Sequence, residues 1–217
     1  MPARLTAGYD YPAGNDHRDE KLSIYNRKAP YQFGWDWGIR IAQMGIWKPV
    51  SLVFYDKVRI DDFFVKQTSV TAQSAKIENI VEVFSIAEKP VSATVTVEYA
   101  AAGEAKRSVS KQVTLHRGNN TVFLELEIAY PKRWMPTGWG DQHLYDFTAN
   151  VAAENRVITE KTEKIGLRSV RLVQEPDKYG KSFYFEVNGI PLFAKGANYI
   201  PGEIFTTQQN EDYYTKL

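Results

Sequence analysis

In three runs between Val91 and Ile128 apolar and polar residues take turns one by one, a period no helix can use and a half-buried strand requires. In "VSATVTVEY" the residues Val91, Ala93, Val95, Val97 and Tyr99 share one face, while Ser92, Thr94, Thr96 and Glu98 share the other. "KRSVSKQVTL" repeats the device with Val109, Val113 and Leu115, and "TVFLELEI" with Val122, Leu124, Leu126 and Ile128. Turn signals, "AAGEA" and "RGNN", separate the runs. "YDFTANVAAENRVITEKTEKIGLR" adds two more strands around an Ala-Glu-Asn-Arg turn, and from Ile46 "IWKPVSLVFYDKVRIDDFFV" reads as extended chain. Short antiparallel strands at about ten-residue spacing, with no helix between them, predict an immunoglobulin-like β-sandwich of roughly 100 residues. Lys57 to Gly166 meets that length. With no cysteine, the inter-sheet disulfide of antibody domains is excluded.

Composition narrows the function. Lys and Arg number 27 against 26 Asp and Glu, a net charge of +1, so no general field draws in nucleic acid or an anionic membrane. No apolar run reaches the roughly 18 residues of a spanning helix, and the opening "MPARLTAGYDYPAGNDHRDEK" has no apolar core of the kind a signal peptide carries. Zero cysteines leave no thiolate nucleophile and no cysteine zinc site. His17, His116 and His143 lack ligand spacing, so neither metal nor cofactor is expected. Asn119-Asn120-Thr121 fits a glycosylation sequon, a pattern short enough to recur by chance. Aromatic residues make up 13%, with 13 Tyr and 5 Trp, which suits carbohydrate faces, protein interfaces and a plain β core alike.

The flanks read differently from the middle. Residues 1–56 hold two strands at most and a long irregular segment, too few to close a sandwich. After Gly166, "SVRLVQ", "DKYGK" and "SFYFEV" read as a hairpin, and "VNGIPLF" places Asn188–Gly189 in a tight turn. "TTQQNEDYYTKL" reads as a helix start, with Thr206 as N-cap and Gln209 completing a capping box. The expectation is one complete middle domain with truncated neighbours on both sides. Within the first flank, "YQFGWDWGIR" sets Trp35 and Trp37 about Asp36, closed by Gly34 and Gly38. Either Asp36 caps a turn or pairs with Arg27 or Arg40 while the indoles fill a core, or something flat and hydroxyl-rich docks there.

Together these segments resemble the β-mannosidases of glycoside hydrolase family 2. "RKAPYQFGWDWGIR" is similar to that group's Phe-Gly-Trp-Asp-Trp-Gly signature. "RWMPTGWGDQHLYDF" and "IGLRSVRL…FEVNGIPLFAKGANYIP" resemble signatures shared across family 2. The resemblance implies a mainly β chain: 1–56 as the C-terminal part of a sugar-binding-like jelly roll, 57–166 as the immunoglobulin-like sandwich, and 167–217 as the start of a catalytic (β/α)8 barrel. It implies a retaining exo-hydrolase that removes terminal β-D-mannose with two carboxylates about 5–5.5 Å apart. Both are expected beyond Leu217, so no catalytic residue is assigned here and the chain alone is expected to be inactive. The implied partners are a β-mannoside oligosaccharide and the remainder of the same polypeptide.

By the same resemblance Asp36 grips hydroxyls of the mannose, and Trp37 and Trp35 wall the sugar. Asn198 and Tyr199, near the end of the first barrel strand, line the pocket, with Tyr199 where the family commonly has Trp. Trp134, Trp139 and Tyr145 lock the sandwich to its neighbour. Asn210–Glu211 mimics the family's catalytic Asn-Glu pair but sits in a capped, polar helix start, away from any strand end. Two other readings stand beside this one. A stand-alone carbohydrate-binding sandwich would bind sugar saturably by itself, and a family 2 β-galactosidase or β-glucuronidase portion would differ in the sugar read.

Overall fold

The computed structural model describes residues 23–34, 40–41, 44–46, 48–199 and 202–216. They fall into two compact units, Met1–Leu52 with Gly196–Leu217, and Val53–Lys195.

The larger unit begins with seven strands: β1 (Val58–Val70), β2 (Ser74–Ser85), β3 (Val91–Ala101), β4 (Arg107–Leu115), β5 (Gly118–Ala129), β6 (Tyr145–Ala153) and β7 (Arg156–Ile165). They form two antiparallel sheets, ordered β1-β2-β5 and β4-β3-β6-β7. This is the expected immunoglobulin-like sandwich, with its fourth strand joined to the sheet of the third, sixth and seventh. The alternation read from the sequence is the burial pattern: Ala93, Val95, Val97 and Tyr99 of β3 face Val81, Val83, Val122, Leu124, Phe147, Ala149 and Val151 in one core.

Strand β1 lacks strict alternation in its sequence, and two register shifts explain how it still serves the core. Bulges between Ile60 and Asp62 and between Gln67 and Ser69 each add a residue. Val58, Phe63, Val65 and Val70 therefore all point inward despite uneven spacing. The edges of the sandwich are sewn together. Along the β1–β7 seam the Ile60 amide donates to Thr159 Oγ1 (3.3 Å), Lys161 Nζ meets Asp62 Oδ1 (2.7 Å) and Gln67 Nε2 donates to Gly166 O (3.3 Å). These partners ascend together, so the two strands run parallel. On the opposite edge Lys111 Nζ reaches Phe123 O (3.4 Å), joining β4 to β5.

Turn chemistry follows the sequence. The β6–β7 turn puts Glu154 (φ 51°) and Asn155 (φ 61°) in the left-handed region, the conformation a two-residue hairpin demands. Strands β8 (Val170–Val173), β11 (Tyr184–Val187) and β12 (Ile190–Leu192) make a second small sheet, with the short hairpin β9 (Pro176–Asp177) and β10 (Gly180–Lys181) inserted. Asn188 (φ 54°) and Gly189 (φ 81°) form the tight β11–β12 turn.

Two expectations shift. The extended run from Ile46 becomes a strand only at Val58. Ahead of it the described residues hold two 3-10 turns, Ser23–Tyr25 and Pro30–Phe33, and no strand. Nor does a helix start at Thr206. Thr206–Gln208 is a 3-10 turn without a side-chain cap, and the helix α1 spans Glu211–Thr215. Asn210 is its cap, accepting the Tyr213 amide at 3.0 Å. Asn is among the strongest N-cap residues, because its side-chain oxygen accepts a first-turn amide. Among the described residues no helix is long and apolar enough to cross a membrane.

Candidate functional site

Trp35, Asp36 and Trp37 lie outside the described residues; the segment leading to them does not. Pro30–Phe33 coils into a 3-10 turn that buries Phe33 and Gln32, and Gly34 leaves it at φ 108°, closed to a side chain. Gln32 is only 6% exposed, and its Oε1 accepts no hydrogen bond from the described residues. It lines a cleft of about 850 Å³ together with Arg27, Tyr31, Thr206, Thr207 and Tyr214, all within the smaller unit. Nothing in the sequence marked Gln32, since a polar residue beside a tryptophan-rich motif reads as surface.

Asn198 and Tyr199 are exposed and belong to an irregular segment after β12, not to a strand end. Tyr199 is held by its neighbours. Its hydroxyl lies 2.7 Å from that of Tyr213, and its ring meets Tyr214 edge-on at 6.4 Å. The hydrogen bond to Tyr199, aided by lost hydration, raises the Tyr213 phenol above its ordinary pKa. Tyr214 in turn donates to Gln209 Oε1 (2.8 Å), whose amide donates to Glu203 O (2.6 Å). A tyrosine here keeps a flat ring and gains a hydroxyl anchor. Asn210 spends its carboxamide oxygen on the cap of α1, and Glu211 opens that helix. Among the described residues no group of three or more His, Asp or Glu side chains is arranged to hold a metal.

The second signature builds a clamp in the larger unit. The Trp134 amide donates to Leu167 O (2.8 Å), Arg168 stacks over the Trp134 ring at 4.7 Å, and Asn188 Nδ2 donates to Trp134 O (2.9 Å). Trp134 thus ties the β5–β6 loop to the small sheet, within one compact unit. Trp139 stays half-exposed at the loop tip. Tyr145 departs from the expectation. It is 3% exposed inside the sandwich core, and its hydroxyl accepts the Lys132 amide at 2.9 Å. That bond ties the start of β6 to the loop leading into it, within its own sandwich. A second cleft of about 760 Å³ lies at the sandwich end between β1, the β2–β3 loop and the β6–β7 turn, with no aromatic wall.

Comparison with known proteins places the chain. The family described as glycosyl hydrolases family 2 matches residues 58–168, and the glycosyl hydrolase 2 galactose-binding domain-like family matches residues 3–48. Beta-mannosidase B of Aspergillus niger is 33% identical over 191 residues, covering 88% of this chain and 22% of that protein. Its counterpart in Emericella nidulans is 34% identical over 200 residues, 90% of this chain and 22% of that one. The crystal structure of a Beta-D-Mannosidase from Dictyoglomus thermophilum superposes with a TM-score of 0.86 at 31% identity, covering 99% of this chain and 26% of that one. The chain therefore spans about a fifth of the length of the curated relatives it matches. On the match that covers its whole sandwich, this chain belongs to glycosyl hydrolase family 2.

Proposed function

We propose that this chain is the non-catalytic portion of a retaining exo-β-mannosidase that removes terminal β-D-mannose from oligosaccharides, and that Asp36 grips hydroxyls of that mannose. The observation that carries the reading is the likeness to β-mannosidases along nearly the whole chain. Family 2 structures with other sugars in their names align over less and resemble it less. A putative beta-galactosidase from Bacteroides fragilis covers 64% of the chain at 20% identity and a TM-score of 0.56, which speaks for the fold alone.

In this reading 1–56 ends a sugar-binding-like jelly roll, 57–166 is the sandwich and 167–217 opens the catalytic barrel. The two carboxylates that retaining hydrolysis requires belong to the rest of the polypeptide. One carboxylate can accept two hydrogen bonds from adjacent sugar hydroxyls, and neighbouring indoles keep water from competing. Trp35, Trp37, Asn198 and Tyr199 would line that pocket.

The test uses the intact enzyme. Asp36→Ala should lower kcat/KM by roughly two to four orders of magnitude while leaving the melting temperature nearly unchanged. Hydrogen bonds to a charged group are worth about 1.5–3 kcal/mol each, and about 1.4 kcal/mol is tenfold. A 4-deoxy β-mannoside should lose much less than the full substrate, if the 4-hydroxyl is one of those gripped. Equal losses on both substrates would remove that contact from the reading. A lowered melting temperature with normal activity would make Asp36 structural.

A further inference from the structure

We propose that Tyr213 is a positioning residue for the sugar pocket: its hydroxyl fixes the ring of Tyr199 in place without itself touching substrate. This rests on the reading, given above, of Tyr199 as part of that pocket's lining. Tyr199 belongs to the irregular segment after β12, and its ring is 49% exposed. A half-exposed phenol on such a segment samples several rotamers, and freezing it when a ligand binds costs affinity. Here the ring is ordered beforehand. Its hydroxyl lies 2.7 Å from that of Tyr213, and its face or edge is bounded by Tyr214, edge-on at 6.4 Å. The first contact fixes the far end of the ring and the second its plane.

Both partners come from consecutive positions of helix α1, whose successive side chains point about 100° apart. Their rings cross at 82° with centroids 5.3 Å apart, so they meet Tyr199 from two directions. Each is anchored in turn. Asn210 Oδ1 accepts the Tyr213 amide, and the Tyr214 hydroxyl donates to Gln209 Oε1, whose side-chain amide donates to Glu203 O. The backbone closes in as well: a Cβ added at Gly202 would lie 3.0 Å from the Tyr213 oxygen. The hydrogen bond to Tyr199 is the largest cause raising the Tyr213 phenol above its ordinary pKa, the direction of a donor whose neutral form is favoured. With Tyr213 donating, the Tyr199 oxygen accepts, and its own proton is left to meet a sugar hydroxyl.

The test follows hydrolysis of 4-nitrophenyl β-D-mannoside by the intact enzyme. Tyr213→Phe should raise KM about fivefold, the ordinary worth of one neutral hydrogen bond, with kcat and melting temperature little changed. Tyr199→Phe should raise KM at least as much. The double variant should be no worse than Tyr199→Phe alone, since the bond can be lost only once. Gly202→Ala crowds the Tyr213 oxygen and should shift KM in the same direction, an independent variant if Tyr213→Phe folds poorly. Tyr199→Ala separates the two readings. If it raises KM strongly while Tyr213→Phe and Gly202→Ala do not, Tyr199 keeps its place in the pocket and the positioning role of Tyr213 is overturned. If Tyr199→Ala leaves KM unchanged, the pocket reading of Tyr199 falls and the proposal falls with it. Additive losses in the double variant, or a lowered melting temperature with unaltered KM, would also overturn it, leaving Tyr213 a structural residue only.

Discussion

A side chain at Gly166 would have nowhere to go: an added Cβ would lie 2.8 Å from two atoms of the Trp134 ring. Gly166→Ala must push that ring off Arg168 and strain the clamp, so it should destabilise the larger unit by about 2 kcal/mol. A fall in the urea midpoint, with altered Trp134 fluorescence, checks this. Sequence alone marked Gly166 only as the edge of a domain, because a contact with a residue over thirty positions away leaves no local trace. Asn79 tells the opposite story. It is fully buried on β2, donates to Leu124 O at 3.1 Å, and leaves its Oδ1 without a partner among the described residues. Asn79→Val removes that unsatisfied oxygen and should stabilise by about 1 kcal/mol, read from equilibrium denaturation. A loss of stability would mean that a buried water completes the amide.

Among the elements, the β6–β7 turn carries a correctable cost. Glu154 and Asn155 both hold positive φ, which is unfavourable for Glu by roughly 1 kcal/mol. The double change Glu154→Asn and Asn155→Gly suits the same turn and should raise stability by about 1 kcal/mol, measured as a rise in melting temperature. The β1–β7 seam gives a pH dependence. The hydrogen bond from Lys161 holds the Asp62 carboxyl below its ordinary pKa. A depressed folded value stabilises the fold above about pH 4 and ceases to do so as pH falls through the lower folded value. Asp62 is mostly exposed and Lys161 half-buried, so solvent screens the pair, and Lys161→Ala should cost about 0.5 kcal/mol at pH 7 and almost nothing near pH 2. An equal cost at both would place the role of Lys161 in packing. Strands and their turns were legible here because alternation and Gly or Asn signals are local. The position of helix α1 was not, because Thr206 and Asn210 are both good N-cap residues and the local pattern alone does not choose between two starts four residues apart.

At the scale of the whole molecule, Val53–Lys195 forms one compact unit, longer than the sandwich read from the sequence. Asn188 explains the extension. It accepts the Ser169 amide at 3.1 Å and donates to Trp134 O, so the small sheet is fastened to the sandwich loop. Limited proteolysis should therefore leave a fragment ending near Lys195; rapid trimming back to Gly166 would show that the clamp is weak. The sequence conveyed the sandwich almost whole, since each strand announces its own face. Of the candidate site it conveyed the motif but not the cleft, which joins residues near 30 to residues near 210. The seam between the first and last strands also fixes an order of events. Its hydrogen bonds link residues 99 positions apart, so loop-closure entropy must be met before any of them forms. On a ribosome the sandwich cannot close until Gly166 has left the exit tunnel, and until then β1 waits with an unpaired edge, the interval in which a nascent chain is most exposed to chaperones and to its neighbours.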